Sequence, residues 1–278
     1  MKKIISIILI LCLCLMPVQI QAKSVTSGTD DNGNKWTYNT STKTIVFTGD
    51  KAISDFTLNG HDREPSWYRW SNKTEHIVIE EGITGIGSEA FAGFVKVLSV
   101  NIPYTVKKIK RSSFENNYRL REIQIPNEVN SIGDKAFAGC YGLKNLSLPS
   151  KLNYVGSFEF CRNIKSISLP DSIKDTADGM FTGCEMLTSV KLPRKLKSIK
   201  SYDFADCRKL TKLNIPVTVK VVYMSAFAGS GLKKIVLPSN VQKIRNGNDG
   251  QKVFEYIKGI GYPTKNLRVI KIHSKKVK

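Results

Sequence analysis

Seven prolines recur along the chain: Pro103, Pro126, Pro149, Pro170, Pro193, Pro216 and Pro238, at steps of 23, 23, 21, 23, 23 and 22 residues. Each closes an apolar-x-apolar triplet, from Val100-Asn101-Ile102 to Ile235-Val236-Leu237. A unit this short cannot bury its apolar side alone, so successive units must stack into a solenoid with one shared core. Such a rod offers a long open surface. Binding is therefore its default work, and catalysis needs separate evidence.

Alternation across each triplet is a strand pattern, with the outer two residues facing inward and the middle one outward. The proline that follows removes a backbone donor and ends regular pairing. A second short extended piece is expected around Ile86, Ile109, Ile132, Val155, Ile199, Val222 and Ile244, with Gly87, Gly133 and Gly156 suited to a turn after it. Phenylalanine also recurs, at Phe91, Phe114, Phe137, Phe160, Phe181, Phe204 and Phe227, and these rings are expected to stack as one spine. On that reading the short unit has lost two residues between Phe160 and Cys161, and Phe158 is an extra aromatic outside the spine.

Cys140, Cys161, Cys184 and Cys207 stand at the same point of successive units. They are expected to form an internal ladder of buried free thiols. Neighbouring rungs lie about 5 Å apart, so one or two bridges, or a metal site, remain alternatives. Lys2 and Lys3, the apolar run Ile4 to Met16, Pro17 and the small residue Ala22 read as an export signal over 1–22, cleaved near Ala22. Leu11 and Leu13 precede Cys12 and Cys14, where lipid attachment would favour a small residue. No later apolar stretch is long enough to cross a membrane.

Charge is uneven. Residues 23–90 hold 7 basic and 10 acidic side chains, whereas 91–278 hold 34 and 13. The basic excess thus belongs to the repeats and favours anionic partners. Candidate polyanion rows are Lys107, Lys108, Lys110 and Arg111 in one unit and Arg194, Lys195, Lys197 and Lys200 in another, with Lys220 and Lys243 in phase near by. A polar ladder at the outward triplet positions, Asn101, Gln124, Ser147, Ser168, Lys191 and Asn214 (flanked by Val78 and Val236), is a candidate binding face for glycan hydroxyls or peptide backbone. The flanking slots Glu122, Asn145, Ser166, Ser189, Lys212 and Lys234 grow more basic toward the C-terminal end.

Nothing in the sequence carries a nucleophile elbow, a phosphate-cradling loop or a dinucleotide fingerprint. His61, His76 and His273 lack metal-ligand spacing, and a Cys–His pair would need a buried ladder thiol. Asp171, Asp175 and Asp178 face one solvated edge rather than a cleft. Asp30-Asp31-Asn32-Gly33 and Asn248-Asp249-Gly250 carry only part of a calcium-ligand series and read as turns. No catalytic residue, cofactor or metal is expected, and nucleic acid is not the expected partner because no aromatics interleave the basic rows.

The motif Leu-x-x-Ile-x-Leu-Pro-x-x-Val-x-x-Ile-Gly-x-x-Ala-Phe-x-x-Cys, best kept at 123–148 and 167–193, resembles the BspA-type leucine-rich repeat of bacterial surface proteins over about 76–245. Thr176-Ala177 in place of Ile-Gly and Ser230 in place of Cys depart from it. The resemblance implies a mainly β, α/β-poor solenoid. This is a right-handed superhelix with a parallel sheet on one face and short turns or helical pieces on the other. The expected organisation is a signal over 1–22, an N-terminal β-hairpin cap over 23–75, repeats over 76–238 and an irregular C-terminal repeat and cap over 239–278. Lys35 to Tyr38 and Thr44 to Gly49 would form the hairpin, and Val269 to Ile272 the last rung. The implied function is adhesion or recognition of host or bacterial surface molecules, with an extracellular protein or glycan as partner. Charge-driven retention on anionic wall polymer is the rival binding reading, and a secreted hydrolase the rival of another class.

Overall fold

A computed structural model of the chain describes residues 25–57, 64–223, 225–245 and 269–272. The expected signal at 1–22, His61, His273 and the turn at 248–250 lie outside these residues. At the N-terminal end β1 (Val25–Thr29), β2 (Lys35–Asn39) and β3 (Thr44–Thr48) form an antiparallel meander, one strand more than the expected hairpin. β3 then pairs in parallel with β4 (His76–Ile79), so the meander and the first rung share one sheet.

The following turns alternate between two strand positions, one in the triplet and one after the proline. In chain order they are β5 (Gly85–Ile86), β6 (Ser99–Asn101), β7 (Lys108–Ile109), β8 (Glu122–Ile123), β9 (Ser131–Ile132), β10 (Tyr154–Val155), β11 (Ser166–Ser168), β12 (Ser189–Lys191), β13 (Ser198–Ile199), β14 (Val221–Tyr223), β15 (Lys234–Leu237), β16 (Lys243–Arg245) and β17 (Val269–Ile272). Triplet strands pair in parallel as β3–β4–β6–β8, β11–β12 and β15–β17; the others pair as β5–β7–β9–β10 and β13–β14–β16. The last rung expected at Val269 to Ile272 is present as β17, in register with Lys234 to Leu237. The chain is thus a solenoid with two parallel sheets. Its one described helical piece is a 3-10 turn, Tyr68–Trp70.

The core follows from register. Ile45, Ile77, Val100 and Ile123 align across four strands and are all buried. Burying each such side chain contributes roughly 1.5–3 kcal/mol. The N-terminal meander is joined to the first rung by aromatic contacts: Phe47 meets Phe91 edge-on at 5.3 Å, and Trp67 Nε1 donates to the Ala90 carbonyl at 3.0 Å.

The aromatic spine is real, but one of its members differs from the expected set. Phe91, Phe114, Phe137, Phe158, Phe181, Phe204 and Phe227 stack with successive centroid distances of 5.5, 5.6, 6.4, 6.1, 5.7 and 5.9 Å. Phe158 is fully buried in this column, whereas Phe160 is 44% exposed. The shortened unit has therefore lost two residues before its spine ring, not after it. Backbone conformation gives the reason. Full units carry two left-handed residues four apart, such as Lys135 and Gly139 or Gly179 and Gly183. The short unit keeps only the second, and Phe160 occupies it at φ 58°. Phe158 then stands three residues before Cys161, as Phe137 stands before Cys140.

Gly133 and Gly156 are required for close approach rather than for an unusual φ. A Cβ on Gly156 would lie 2.3 Å from the Gly133 carbonyl oxygen, and one on Gly133 would lie 2.5 Å from the Arg111 nitrogen. The second sheet is interrupted at the unit carrying Thr176, which stands in the slot of Ile132 and Val155. Thr176 Oγ1 instead donates to the carboxylate of Asp203 at 3.2 Å. Asp203 fills the small-residue slot of Ala136, is buried, and also accepts from the backbone N–H groups of Lys200 (2.7 Å) and Met180 (3.2 Å). Burial pushes its carboxyl up to about 7 against the opposing effect of these three donors.

The four ladder cysteines, Cys140, Cys161, Cys184 and Cys207, are free and buried. Each thiol donates to the carbonyl of a spine phenylalanine in the preceding turn: Cys140 to Phe114 (3.2 Å), Cys161 to Phe137 (3.1 Å), Cys184 to Phe158 (3.2 Å) and Cys207 to Phe181 (3.1 Å). The slot thus suits a small residue with one donor. Burial pushes the Cys161 and Cys207 thiols up to about 12, so they are inert as nucleophiles near neutral pH.

Candidate functional site

Each triplet presents its middle residue to solvent and turns its outer two toward the core, and the stacking continues through the triplets of Ser147 and Asn214, where the paired strands are interrupted. Asn101, Gln124, Ser147, Ser168, Lys191 and Asn214 are all exposed, while Val100, Ile123, Leu146 and Ile167 beside them are buried. Direct strand register places Val78 against Asn101 and Ser168 against Lys191. The flanking outward positions Glu122, Asn145, Ser166, Ser189, Lys212 and Lys234 are exposed as well. The result is an open face of amides and hydroxyls, turning cationic at Lys191, Lys212 and Lys234.

The eight cations of the two candidate rows behave differently from one another. Lys110 pairs with Asp55 at 2.6 Å, Arg111 with Glu89 at 3.7 Å, Arg194 with Asp171 at 2.7 Å and Lys200 with Asp175 at 3.2 Å. Lys107, Lys108, Lys195 and Lys197 are exposed and have no acidic partner among the described residues. Lys107 and Lys197 occupy one column, but Asn130, Asn153 and Lys174 stand between them, which puts them about 19 Å apart at the usual strand spacing.

The acidic candidates are engaged in pairing rather than gathered around a cleft. The Arg194 backbone N–H and guanidinium hold Asp171 below the usual carboxylate range. Asp175 accepts from Ser198 Oγ at 2.9 Å as well as from Lys200. In the loop after β1, Asp30 spends its oxygens on Asn32 N, Asn34 N, Asn34 Nδ2 and Ser54 N, so the loop is a self-satisfied turn. His76 Nδ1 contacts Ser99 Oγ at 2.8 Å. Among the described residues no three His, Cys, Asp or Glu side chains gather closely enough to hold a metal ion.

One surface row was missed in the sequence. Tyr118 and Tyr141 stack at 4.8 Å, the Arg162 guanidinium lies over the Tyr141 ring at 4.7 Å, and Arg162 meets Glu185 at 3.6 Å. All four residues stand four positions after a spine ring, namely Phe114, Phe137, Phe158 and Phe181. Counting the spine through Phe160 puts Arg162 two positions out of phase and hides the row.

Stacked short parallel strands with an internal phenylalanine column define a leucine-rich-repeat solenoid, whose accessible chemistry lies on outer faces. A family model for the BspA type leucine rich repeat region matches in six copies over residues 64–160 and 156–259, and the chain belongs to that family. No curated protein matches it. Among solved structures it is similar to a leucine-rich repeat protein from Bacteroides ovatus, at 25% identity and a TM-score of 0.70 over 94% of this chain; it spans 66% of that protein's length. It also resembles the leucine rich repeat protein of T. pallidum, at 22% identity and a TM-score of 0.50, covering 69% of this chain and 90% of the other. Among the described residues no helix is long and apolar enough to cross a membrane.

Proposed function

We propose that the chain is a secreted or cell-surface binding protein rather than an enzyme, recognising host or bacterial surface molecules through its triplet sheet. The observation that carries this reading is the exposure of Asn101, Gln124, Ser147, Ser168, Lys191 and Asn214, the middle residues of successive triplets whose flanking apolar side chains are buried or half-buried in the core. Amide and hydroxyl groups held on the stacked triplets suit glycan hydroxyls or the backbone of an extended protein segment, and many weak contacts along one face add up. The basic start and apolar run of residues 1–22 support export. On this reading the meander acts as a cap that shields the first rung's edge, and residues after 239 close the other end.

A glycan and matrix-protein binding array run at low and high salt tests the proposal. Ligands that persist at high ionic strength are expected. Loss of every ligand at high salt would leave only the second reading, electrostatic retention on anionic polymer. That second reading is favoured by Lys107, Lys108, Lys195 and Lys197, which have no acidic partner among the described residues.

A further inference from the structure

We infer that Lys174, Lys197 and Lys220 form a linear cation track for a phosphodiester-linked polyol chain lying along the solenoid axis. The inference deepens the electrostatic reading and is independent of the triplet sheet. All three lysines stand four residues after a repeat proline, Pro170, Pro193 and Pro216, and all three are exposed. Their register is fixed. The Lys220 N–H donates to the Lys197 carbonyl at 2.9 Å, and the Arg194–Asp171 and Ser198–Asp175 contacts on either side of Lys197 hold it opposite Lys174. At the usual spacing of parallel strands the track is about 10 Å long with one cation per rung.

The carboxylates that could neutralise this track are occupied from the side. Asp171 takes the backbone N–H and guanidinium of Arg194, at 2.8 and 2.7 Å, and Asp175 takes Ser198 and Lys200. Asp178 acts electrostatically on Lys200. Lys174, Lys197 and Lys220 have no ion pair among the described residues. The next slot of the column is Gln242, whose N–H donates to the Lys220 carbonyl at 2.9 Å, so the track ends at Lys220; Lys243 stands one column aside, opposite Val221. An ammonium is a compact point charge with freely rotating donors, which can follow the tetrahedral phosphates of a flexible chain. One cation per rung also fits a polymer with one anion per repeating unit.

The test measures binding of poly(glycerol phosphate) across a salt series for the wild-type chain and two triple variants. One is Lys174→Gln/Lys197→Gln/Lys220→Gln. The other, Lys144→Gln/Lys165→Gln/Lys209→Gln, removes the same charge from exposed lysines elsewhere. Circular dichroism confirms that both are folded. The track variant is expected to flatten the log–log salt slope by about 2, three contacts at roughly 0.7 each for a flexible polyanion. The control variant is expected to stay close to wild type. Equal losses in both variants would overturn the track while leaving charge-driven retention standing. Failure of the wild-type chain to bind the polymer would overturn both. Tighter, track-dependent binding of heparin or of a polyuronate would overturn the assignment to phosphodiester.

Discussion

The reassigned spine ring gives the sharpest test of the packing. Phe158 is 0% exposed and lies between Phe137 at 6.4 Å and Phe181 at 6.1 Å, with interplanar angles of 7° and 10°. Truncating such a ring removes its transfer free energy and leaves a cavity, together about 3–5 kcal/mol for Phe→Ala in a core. Ring–ring contacts beyond area burial place the cost toward the upper end of that range. For a domain of this size each kcal/mol shifts the melting temperature by about 2–4 °C, so Phe158→Ala is expected to lower it by about 10 °C or more. Phe160→Gly is the matched control. The Phe160 ring is 44% exposed and lies over Gly183, and its backbone sits at φ 58°, where an L side chain costs about 1–2 kcal/mol. Relief of that strain offsets the lost contact and the added chain entropy of glycine, so the variant is expected to remain within about 1 kcal/mol of wild type. Thermal and urea unfolding followed by far-ultraviolet circular dichroism reads both. A severe Phe160→Gly beside a mild Phe158→Ala would refute the column as described.

Other outcomes follow from the same geometry. A thiol reagent should find no reactive group among Cys140, Cys161, Cys184 and Cys207 in the native chain and all four in denaturant without reductant; fewer than four would reveal a bridge. The Asp203 carboxyl titrates higher in the folded state, at about 7, than in the unfolded chain. Its contribution is greatest below the unfolded value near 4 and is lost as pH rises through 7, a change on the order of a few kcal/mol. Asp203→Asn should flatten the fall in stability between about pH 4 and pH 7, and identical slopes in the two chains would contradict this. Gly156→Ala forces a Cβ to 2.3 Å from the Gly133 carbonyl oxygen and should destabilise by at least about 1 kcal/mol; an unchanged urea midpoint would mean that the rungs are not in such contact.

Much of this architecture is legible in the sequence because stacking repeats a local rule. Pro103 to Pro238 mark the ends of one strand position, Ile86 to Ile244 mark the other, and each of the four cysteines stands nine residues before the next proline. The rule breaks where a unit changes length. Phe160 keeps the step of 23 from Phe137, whereas Phe158 keeps the offset of three to the cysteine, and only the second governs packing. The reason is steric: a ring two residues further on would fall at the left-handed turn, outside the core. Pairing is hidden for a related reason. Lys110 and Asp55, 55 residues apart in sequence, meet because the first rungs fold back on the N-terminal segment. Cation counts along the chain therefore say nothing of which charges remain open. The outward polar ladder, by contrast, needs only the alternation of a strand.

The claim that recognition runs along the triplet sheet is tested most directly at high salt, with a ligand taken from the array. Its affinity is measured for the wild-type chain and for Gln124→Arg/Ser147→Arg/Ser168→Arg, three substitutions confined to exposed positions of that face. The expected result is a loss of about tenfold or more, equivalent to about 1.4 kcal/mol, with the melting temperature unchanged. Undiminished affinity in the variant would contradict the claim and move recognition to another surface of the solenoid.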